Sequence, residues 1–440
     1  MARKGNKQCS ATLAPRASAV RPCMLRVLLE EMQDEPALVC MILPESTVSL
    51  CRVCKWILGV LRKVRPPLSI RRHERSCPPP RIVKGIRDIS TYFSITALRL
   101  EPLVLLPSTA RGLLQTVLAC RELTKLVLLL DTTTFYNVDL FVHGIQGCHK
   151  LEHLTLSYGR HVQLAMCGTL CKALQSASRL TGIHLAMPPM EANGLREILS
   201  GLDACTNLQR LCLGYHSIKD DGMYALAPVL CRMSQLSDLD LTGSQITAEG
   251  ASDLVHSLSP NLRVLKLHTN RLQDDGAAYL GGVWERCPSL QVLGLMRNGI
   301  GPNGLRALFA QGTKPLLLRE LCLDLNKTGS QGAQTLAEGA ARFACLQSLS
   351  LSHNGIGEAA GPAVAQLLTL CTALSTLNLK CNDLRDAVGN NVLPVLATCT
   401  ALAHLDLRAN NISSSQISDL CTFASTHTAL KLYIFSSTLC

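Results

Sequence analysis

The amino-acid sequence predicts an α/β solenoid, a right-handed horseshoe with an inner parallel sheet and outer helices. Three observations predict this fold. A motif of apolar residues recurs about every 28 residues, each copy contains a short strand pattern, and a helical pattern follows the strand. Periods of 20 to 50 residues are typical of stacked repeat architectures. The handedness follows because parallel strands are nearly always joined by right-handed crossovers.

The repeat is Leu-x-x-Leu-x-Leu-x-x-Asn-x-Ile/Leu, and residues 346–356, 374–384 and 402–412 spell it most clearly. Its first position recurs after 28 residues in ten steps, after 29 in one and after 26 in one. The thirteen starts are Ile95, Leu123, Leu151, Leu180, Leu208, Leu236, Leu262, Leu290, Leu318, Leu346, Leu374, Leu402 and Leu430. The first and last units are degenerate, since Leu430 is followed by Tyr433 and Phe435 where leucines are expected. Atypical end units are what a stacked array needs.

Each unit begins with a strand whose leucines face inward. Leu377 and Leu379 lie two residues apart and therefore point to one side, while Asn378 and Lys380 point to the other. The asparagine eight residues after the first leucine is expected to bond buried backbone groups at an inward turn. It is present at Asn270, Asn298, Asn326, Asn354, Asn382 and Asn410. Earlier units carry Asp131, Gly159, Pro188, His216 and Ser244 there, which predicts a less regular ladder.

The second half of each unit is predicted to be a helix. Acidic pairs at residues 220–221 and 274–275 precede a glycine and then apolar residues at helical spacing, which is typical of a capped helix start. A glycine stands fourteen residues after six successive unit starts, at Gly194, Gly222, Gly250, Gly276, Gly304 and Gly332. The absence of a Cβ there predicts a tight turn or a close approach of neighbouring units.

This strand, turn and helix at a period of 28 resembles the ribonuclease-inhibitor-like subfamily of leucine-rich repeats, as in the C-terminal repeats of NOD-like receptors and in the Ran GTPase-activating protein. The resemblance covers residues 95–440 and implies a leucine-rich repeat solenoid. Residues 1–94 are predicted to be a basic, partly disordered segment with short capping helices. Because one fold carries many functions, the resemblance leaves the function to be argued from the site.

Charge is unevenly divided between these two parts. Residues 1–94 hold 17 Lys and Arg against 7 Asp and Glu, a net charge of +10, so the remaining 26 and 25 leave +1 for residues 95–440. So little net charge argues against nucleic acid on the repeats. No apolar run reaches the length of about 18 residues typical of a membrane span. The prediction is a cytoplasmic protein, with a nuclear or mitochondrial location left open by the basic start.

The 21 cysteines recur at equivalent places in the repeat. Six of them lie three residues before a unit start, namely Cys120, Cys148, Cys205, Cys287, Cys371 and Cys399. Free cysteine is among the most buried residue types, so packed thiols are the expectation. With no secretion signal in the sequence, a reducing compartment is predicted.

Two hypotheses concern residues 43–77. Cys51, Cys54, His73 and Cys77 form two close pairs of soft ligands with the spacing of a zinc site. The opening Leu43-Pro44 and the closing Val53-Cys54-Lys55-Trp56 of the same stretch resemble the Leu-Pro and Val-Cys-Lys-x-Trp of an F-box, although the segment between them is too short for the usual middle helix and the final Trp is one place early. An amphipathic helix that caps the first unit is the preferred interpretation, and no metal or other cofactor is predicted.

No catalytic motif appears in the sequence. It contains no GxxxxGK[ST], HExxH or GxSxG pattern, so we do not expect an enzyme. A Ran-type GTPase-activating protein remains an alternative by resemblance, although the long acidic tail of that family is absent. An F-box-like adaptor of a ubiquitin ligase is the other alternative.

The predicted function is a monomeric, non-catalytic scaffold that binds a partner protein on the concave face of the repeats. Outward positions of the strands there are the second, third, fifth and seventh of each unit. Tyrosine and arginine most often anchor protein interfaces, and both recur on the central units. The candidate partner-binding residues are Tyr158, His184, Arg210, Tyr215, Asp238, Asp240, Lys266, His268, Arg297, Arg319 and Asp324.

Overall fold

The computed structural model describes residues 39–40, 68–70, 97–103, 122–130, 145–158, 164–186, 192–310 and 314–434. Across these ranges the chain forms one open, all-parallel sheet of 15 strands, in which every strand lies beside its sequence neighbours. The strands are β1 (Val39–Cys40), β2 (Leu68–Ile70), β3 (Ala97–Leu103), β4 (Lys125–Leu130), β5 (His153–Tyr158), β6 (Gly182–Ala186), β7 (Arg210–Cys212), β8 (Asp238–Asp240), β9 (Val264–Lys266), β10 (Val292–Gly294), β11 (Glu320–Cys322), β12 (Ser348–Ser350), β13 (Thr376–Asn378), β14 (His404–Asp406) and β15 (Lys431–Tyr433). The predicted α/β solenoid is confirmed.

Helices occupy the other half of most units and cover one face of the sheet. The α-helices are α1 (Leu164–Ser176), α2 (Ala192–Leu202), α3 (Lys219–Arg232), α4 (Ala248–Ser257), α5 (Gln273–Leu280), α6 (Val283–Arg286), α7 (Pro302–Ala310), α8 (Gly329–Glu338), α9 (Gly361–Leu370), α10 (Leu393–Leu396) and α11 (Ser414–Thr426). Two 3-10 turns at Ala340–Arg342 and Glu358–Ala360 and a π-helical turn at Val388–Val392 complete the connections. Among the described residues, no helix has the length and apolar character needed to cross a membrane.

The pairing register confirms the irregular steps of the repeat. His153 pairs with Gly182, a step of 29, and Asp238 pairs with Val264, a step of 26. The placement of the last unit was wrong by one residue. Leu432, which is fully buried, pairs with Leu405, so the step is 27. A one-residue shift exchanges the two faces of a strand, and Tyr433 therefore faces outward.

The sheet continues into the basic N-terminal segment. Val39 pairs with Leu68 and Leu68 pairs with Leu98, which are steps of 29 and 30. The repeat spelling is too weak there to reveal these strands. The division of the chain at residue 95 stays a prediction, because most of residues 1–94 lie outside the described ranges.

One continuous apolar core runs beneath the sheet. The fourth and sixth positions of the units are buried throughout, as Leu239 and Leu241 illustrate, and their strand neighbours Asp238 and Asp240 are half-buried on the opposite face. Trp284 stacks on Phe309, and Phe309 meets Phe343 edge to face, so three successive units are also joined by aromatic rings. Burial of leucines from every unit is what stabilises the stack.

The asparagine ladder is confirmed from Asn270 to Asn410. The side chain of Asn326 shows the pattern: Nδ2 donates to the carbonyls of Leu295 (2.9 Å) and Leu323 (2.9 Å), and Oδ1 accepts from the amides of Asn298 (3.0 Å) and Ile300 (3.1 Å). Each asparagine thus satisfies backbone groups of its own unit and of the preceding one. The Nδ2 contacts recur at Asn298, Asn382 and Asn410, whereas the Oδ1 atom of Asn298 is buried without a hydrogen-bond partner.

The two preceding units interrupt this ladder. His216 keeps one contact, since its Nε2 donates to the carbonyl of Leu185 (2.7 Å). Ser244 is fully buried, and its hydroxyl has no hydrogen-bond partner. A serine side chain is too short to span two units. Asp131, Gly159 and Pro188 lie outside the described residues.

The recurrent glycines mark a close approach between units. A Cβ on Gly304 would lie 2.6 Å from the Cα of Asp274, and one on Gly222 would lie 2.7 Å from Leu195 Cδ2. Neither glycine has a positive φ angle, so packing between helices and not a turn requires them.

The acidic residues at the helix starts cap a different helix from the one expected. No side chain caps α3 or α5, the helices that begin beside Asp220 and Asp274. Instead, Asp220 Oδ1 accepts from the amides of Thr247 (2.9 Å) and Gly250 (3.0 Å) at the start of α4. Asp274 likewise accepts from the amide of Gly301 (2.6 Å), next to α7. The caps therefore tie one unit to the next.

The cysteines pack as predicted. Cys148, Cys205, Cys287 and Cys371 are buried and Cys399 is partly buried, while Cys120 lies outside the described residues. Burial raises the pKa of the Cys205 and Cys287 thiols to about 12. The thiol of Cys205 donates to the carbonyl of Leu174 in the preceding unit (3.6 Å).

Candidate partner-binding face

The concave face is the side of the sheet that the helices leave uncovered. It carries the third, fifth and seventh positions of each unit. Six of the predicted binding residues lie on its strands, namely Tyr158 on β5, His184 on β6, Arg210 on β7, Asp238 and Asp240 on β8, and Lys266 on β9. The other five lie beside strands: Tyr215, His268, Arg297 and Asp324 follow β7, β9, β10 and β11, and Arg319 precedes β11.

A depression of about 360 Å³ occupies the centre of this face, across β4 to β9. It brings together five of the predicted residues, which are His184, Arg210, Asp238, Asp240 and Lys266. The remaining polar wall comes from Lys125, His153, Thr155 and Cys212. Tyr215, His268, Arg297, Arg319 and Asp324 do not line it.

Lys125 and His153 are the lining residues that the sequence-based prediction missed. Both occupy the third position of their units, an outward position, so the repeat pattern itself contains the signal. Pairing places Lys125, His153, Gly182 and Arg210 in one row across four adjacent strands. The predicted face therefore extends one strand further towards the N-terminus, to β4.

Three rings of the concave face lie across a glycine of the following unit. A Cβ on Gly182 would be 2.7 Å from His153 Nδ1, and one on Gly243 would be 2.6 Å from the Tyr215 ring. The ring of His268 covers Gly294 in the same way, and its Nδ1 accepts from the amide of Met296 (3.1 Å). Such rings are held in place before any partner arrives, which lowers the entropy lost on binding.

The charges on the central strands are not paired with one another. In the described part of the chain, Lys125, Arg210, Asp238, Asp240 and Lys266 form no ion pair, although opposite charges occupy neighbouring strands. At the C-terminal end the situation is reversed. Arg408 Nη2 lies 2.5 Å from Asp406 Oδ2, and Arg385 Nη2 lies 3.0 Å from Asp383 Oδ2.

Burial and neighbouring cations lower the pKa of two histidines on the concave face, His153 and His268. Burial, then the charges of Arg210 and Lys125, lower the pKa of His153. Its Nε2 accepts a long contact from Arg210 Nη2 (3.5 Å), and its Nδ1 lies 3.5 Å from Thr181 Oγ1. Burial also lowers the pKa of His268 and raises that of Cys212 to about 11. A thiol so rarely ionised is a poor nucleophile.

A rim of unusual backbone borders the face. The eighth position of consecutive units has a positive φ angle even where the residue is bulky, including Tyr215 (67°), Arg297 (55°) and Leu325 (56°). Non-glycine residues adopt this conformation at a cost of about 1 kcal/mol or more. Tyr215 is 63% exposed and Leu325 is 46% exposed, so the rim presents large apolar side chains to solvent.

Two sequence hypotheses lie outside the described residues. They are the zinc set Cys51, Cys54, His73 and Cys77, and the F-box-like stretch at residues 43–56. No three His, Cys, Asp or Glu side chains within the described ranges are grouped so as to hold a metal ion.

Comparisons with known proteins agree with the repeat and its register. The family model described as Leucine Rich repeat matches residues 204–227, 234–255, 286–309 and 344–361. Ribonuclease inhibitor from Sus scrofa is 30% identical over 158 residues, which cover 35% of this chain and 34% of that protein. The human NACHT, LRR and PYD domains-containing protein 13 is 32% identical over 147 residues, which cover 32% of this chain and 14% of that protein. The chain thus spans a third or less of the length of these relatives.

A solved structure gives the same fold over most of the chain. In the crystal structure of the Rad7 and Elc1 complex in yeast, one chain superimposes with a TM-score of 0.54 and 15% sequence identity. The match covers 94% of this chain and 98% of that one. At this level of identity the likeness shows the fold alone.

Proposed function

The chain is a leucine-rich repeat protein of the ribonuclease-inhibitor-like kind, and we propose that it is a non-catalytic scaffold that binds a partner protein on the central concave face. Its repeat family supports a protein-interaction role. The proposed contact residues are the eleven predicted from the sequence, with Lys125 and His153 added. We also propose a cytoplasmic location for it.

The unpaired charges of the centre are the observation that carries this proposal. Arg210 lies beside Asp238, and Asp240 beside Lys266, on neighbouring strands, yet neither couple forms an ion pair. Exposed pairs contribute little to stability, so nothing is gained for the fold by placing these charges here. A partner protein with charges opposite to these would bind with higher affinity and specificity.

A protein fits this surface better than a nucleic acid does. The depression is lined by three cations, Lys125, Arg210 and Lys266, against the two anions Asp238 and Asp240, a net charge of +1. Nucleic-acid binding depends on neutralising many phosphates, which one net charge does not supply. Mixed charges beside exposed aromatic residues such as Tyr215 are typical of protein interfaces.

Affinity capture from cell extract tests the concave face directly. The full chain is compared with the triple variant Tyr215→Ala, Arg210→Ala, Lys266→Ala. The matched control is Tyr224→Ala, Arg306→Ala, Lys172→Ala, which removes the same residue types from exposed positions on the outer helices. Loss of one true anchor typically weakens binding by about 2 kcal/mol, on the order of thirtyfold.

The concave triple is expected to lose partners that the control triple retains. Equal capture by both triples, or loss only when residues 1–94 are deleted, would contradict the proposal. The same experiment addresses the alternatives. An F-box-like adaptor would retain a Skp-like protein through residues 43–56, and a Ran-type GTPase-activating protein would stimulate GTP hydrolysis in a direct assay.

A further inference from the structure

The central depression has a cationic end, formed by Lys125 and Arg210, whose geometry suits an anion. The space between these two side chains is called the seat below. Lys125 on β4 and Arg210 on β7 belong to the same row, about 14 Å apart along the sheet at about 4.8 Å per strand. Both side chains are exposed and neither has an ion-pair partner among the described residues. Side chains of this length reach the space between the two strands.

Gly182 forms the floor of that seat. It lies between the two cations in the row and has no side chain to fill the space above its Cα. A Cβ at this position would lie 2.7 Å from His153 Nδ1 and 3.7 Å from Arg210 Nε, so the imidazole and the guanidinium both extend over the glycine. Any residue other than glycine would displace the imidazole, whereas the guanidinium would be at ordinary van der Waals distance from the added Cβ.

Beyond β7 the depression carries two carboxylates, and the cation Lys266 on β9 follows them. Asp238 and Asp240 lie on β8, directly beside β7. The carboxylate of Asp240 accepts from the amide (3.0 Å) and the hydroxyl (2.6 Å) of Thr242, and that of Asp238 accepts from Ser237. These donors orient the two carboxylates, but no cation of the described chain neutralises them.

We propose that the depression recognises a protein segment that carries a carboxylate side chain and a basic side chain at neighbouring places. The carboxylate lies between Lys125 and Arg210, on the solvent side of the His153 imidazole that covers Gly182. The basic group lies against Asp238 and Asp240. This inference rests on the proposed concave-face function and specifies the chemistry of the partner.

A carboxylate fits the seat better than a phosphate. A phosphate group carries close to two negative charges at neutral pH. Asp238 lies on the strand next to Arg210, so Lys125, Arg210 and Asp238 together carry a net charge of +1, which a monoanion balances and a dianion exceeds. The adjacent acidic pair also gives a reason for a basic group in the same segment, since like charges left unopposed on binding reduce affinity.

The test selects random linear peptides on the full-length chain and examines their charges. One selected peptide is then synthesised, and its affinity is measured by fluorescence anisotropy for wild type, Arg210→Glu and Asp240→Lys. The matched control is Lys431→Glu, which reverses an exposed charge on β15. Circular dichroism checks that each variant is folded.

We expect the selected peptides to carry an acidic and a basic residue, and each charge reversal in the depression to weaken binding about tenfold or more. Exchanging the acidic residue of the peptide for lysine should restore binding to Arg210→Glu. Exchanging the basic residue for glutamate should restore binding to Asp240→Lys. Lys431→Glu should leave affinity unchanged.

Several results would overturn the inference, and they differ from failure of the proposed function. Uncharged selected peptides, absence of any selected peptide, or no rescue by charge exchange would each contradict it. Tighter binding of a phosphopeptide than of its glutamate counterpart would make the seat a phosphate site instead. If the peptides also kept their affinity for the concave triple but lost it for the outer-helix triple, the concave-face function itself would be wrong.

Discussion

The central units, β7 to β9, and the C-terminal units, β13 to β15, share one repeat geometry but use their polar residues differently. At the C-terminal end, Asn382 and Asn410 complete the buried ladder and Arg408 is bonded to Asp406. In the centre, two of the three ladder positions hold His216 and Ser244 in place of asparagine, and the charges of the concave face stay unpaired. A repeat therefore allows some units to be optimised for stability and others for recognition, because each unit contacts only its neighbours.

The largest effect is expected from the ladder itself. Asn382→Ala leaves the carbonyls of Leu351 and Leu379 and the amide of Asn354 without their buried partner. We expect a loss of about 3 kcal/mol or more of unfolding free energy. Ser244→Ala should change it by less than about 1 kcal/mol, since the hydroxyl has no partner. Urea denaturation followed by circular dichroism measures both, and equal losses would remove the distinction between the two regions.

For the caps between units, the larger loss of unfolding free energy is expected in the centre and the smaller loss at the C-terminal end. Asp220→Ala in the centre removes an acceptor for the amides of Thr247 and Gly250, and should cost about 1 to 2 kcal/mol. The corresponding Asp386 accepts a single long bond from the amide of Ser413 (3.4 Å), so Asp386→Ala should cost less. Asp220→Asn keeps an acceptor oxygen and serves as the control. Thermal unfolding ranks the three variants, and an Asn variant as unstable as Ala would argue against the hydrogen bonds.

Acid should weaken the centre through His216. Burial lowers the pKa of His216, so as pH falls below the ordinary value of 6.5 the unfolded chain takes up a proton before the folded chain does. Stability is therefore complete above pH 6.5 and is lost as pH decreases towards the lowered pKa. His216→Asn should reduce this loss, although the lowered pKa values of His153 and His268 act in the same direction. Urea denaturation midpoints at pH 7 and pH 5 measure the loss of stability for wild type and for His216→Asn. If the difference between the two midpoints were the same in both proteins, the role of His216 would be contradicted.

The smallest effect is expected from the exposed charges. Arg408→Ala breaks the bidentate contact with Asp406 and the stacking over Tyr433, and should cost less than about 1 kcal/mol. Arg210→Ala should leave stability unchanged, since its guanidinium has no carboxylate partner. Thermal unfolding at low and high salt compares them. A salt-sensitive loss in Arg210→Ala would mean that the central charges also stabilise the fold.

Repetition explains how much of the site could be predicted. Arg210, Asp240 and Lys266 were placed on the concave face because the strand alternation fixes their direction, and the structure brings them into one depression. Lys125 and His153 were missed although they occupy outward positions. The type of a residue does not show that it lines a cavity together with residues of other units. In the depression, for example, the His153 ring covers Gly182 of the following unit.

The sequence by itself determined the fold, the asparagine ladder and the direction of the strand residues in the regular units, because these follow from a local pattern repeated at a nearly constant spacing. The tertiary structure decided the rest. It decided that Asp220 caps the helix of the next unit, that Leu432 and not Tyr433 continues the core strands, and that central charges stay apart while terminal ones pair. These outcomes depend on the distances and orientations of side chains in the folded units, which spacing along the chain does not specify.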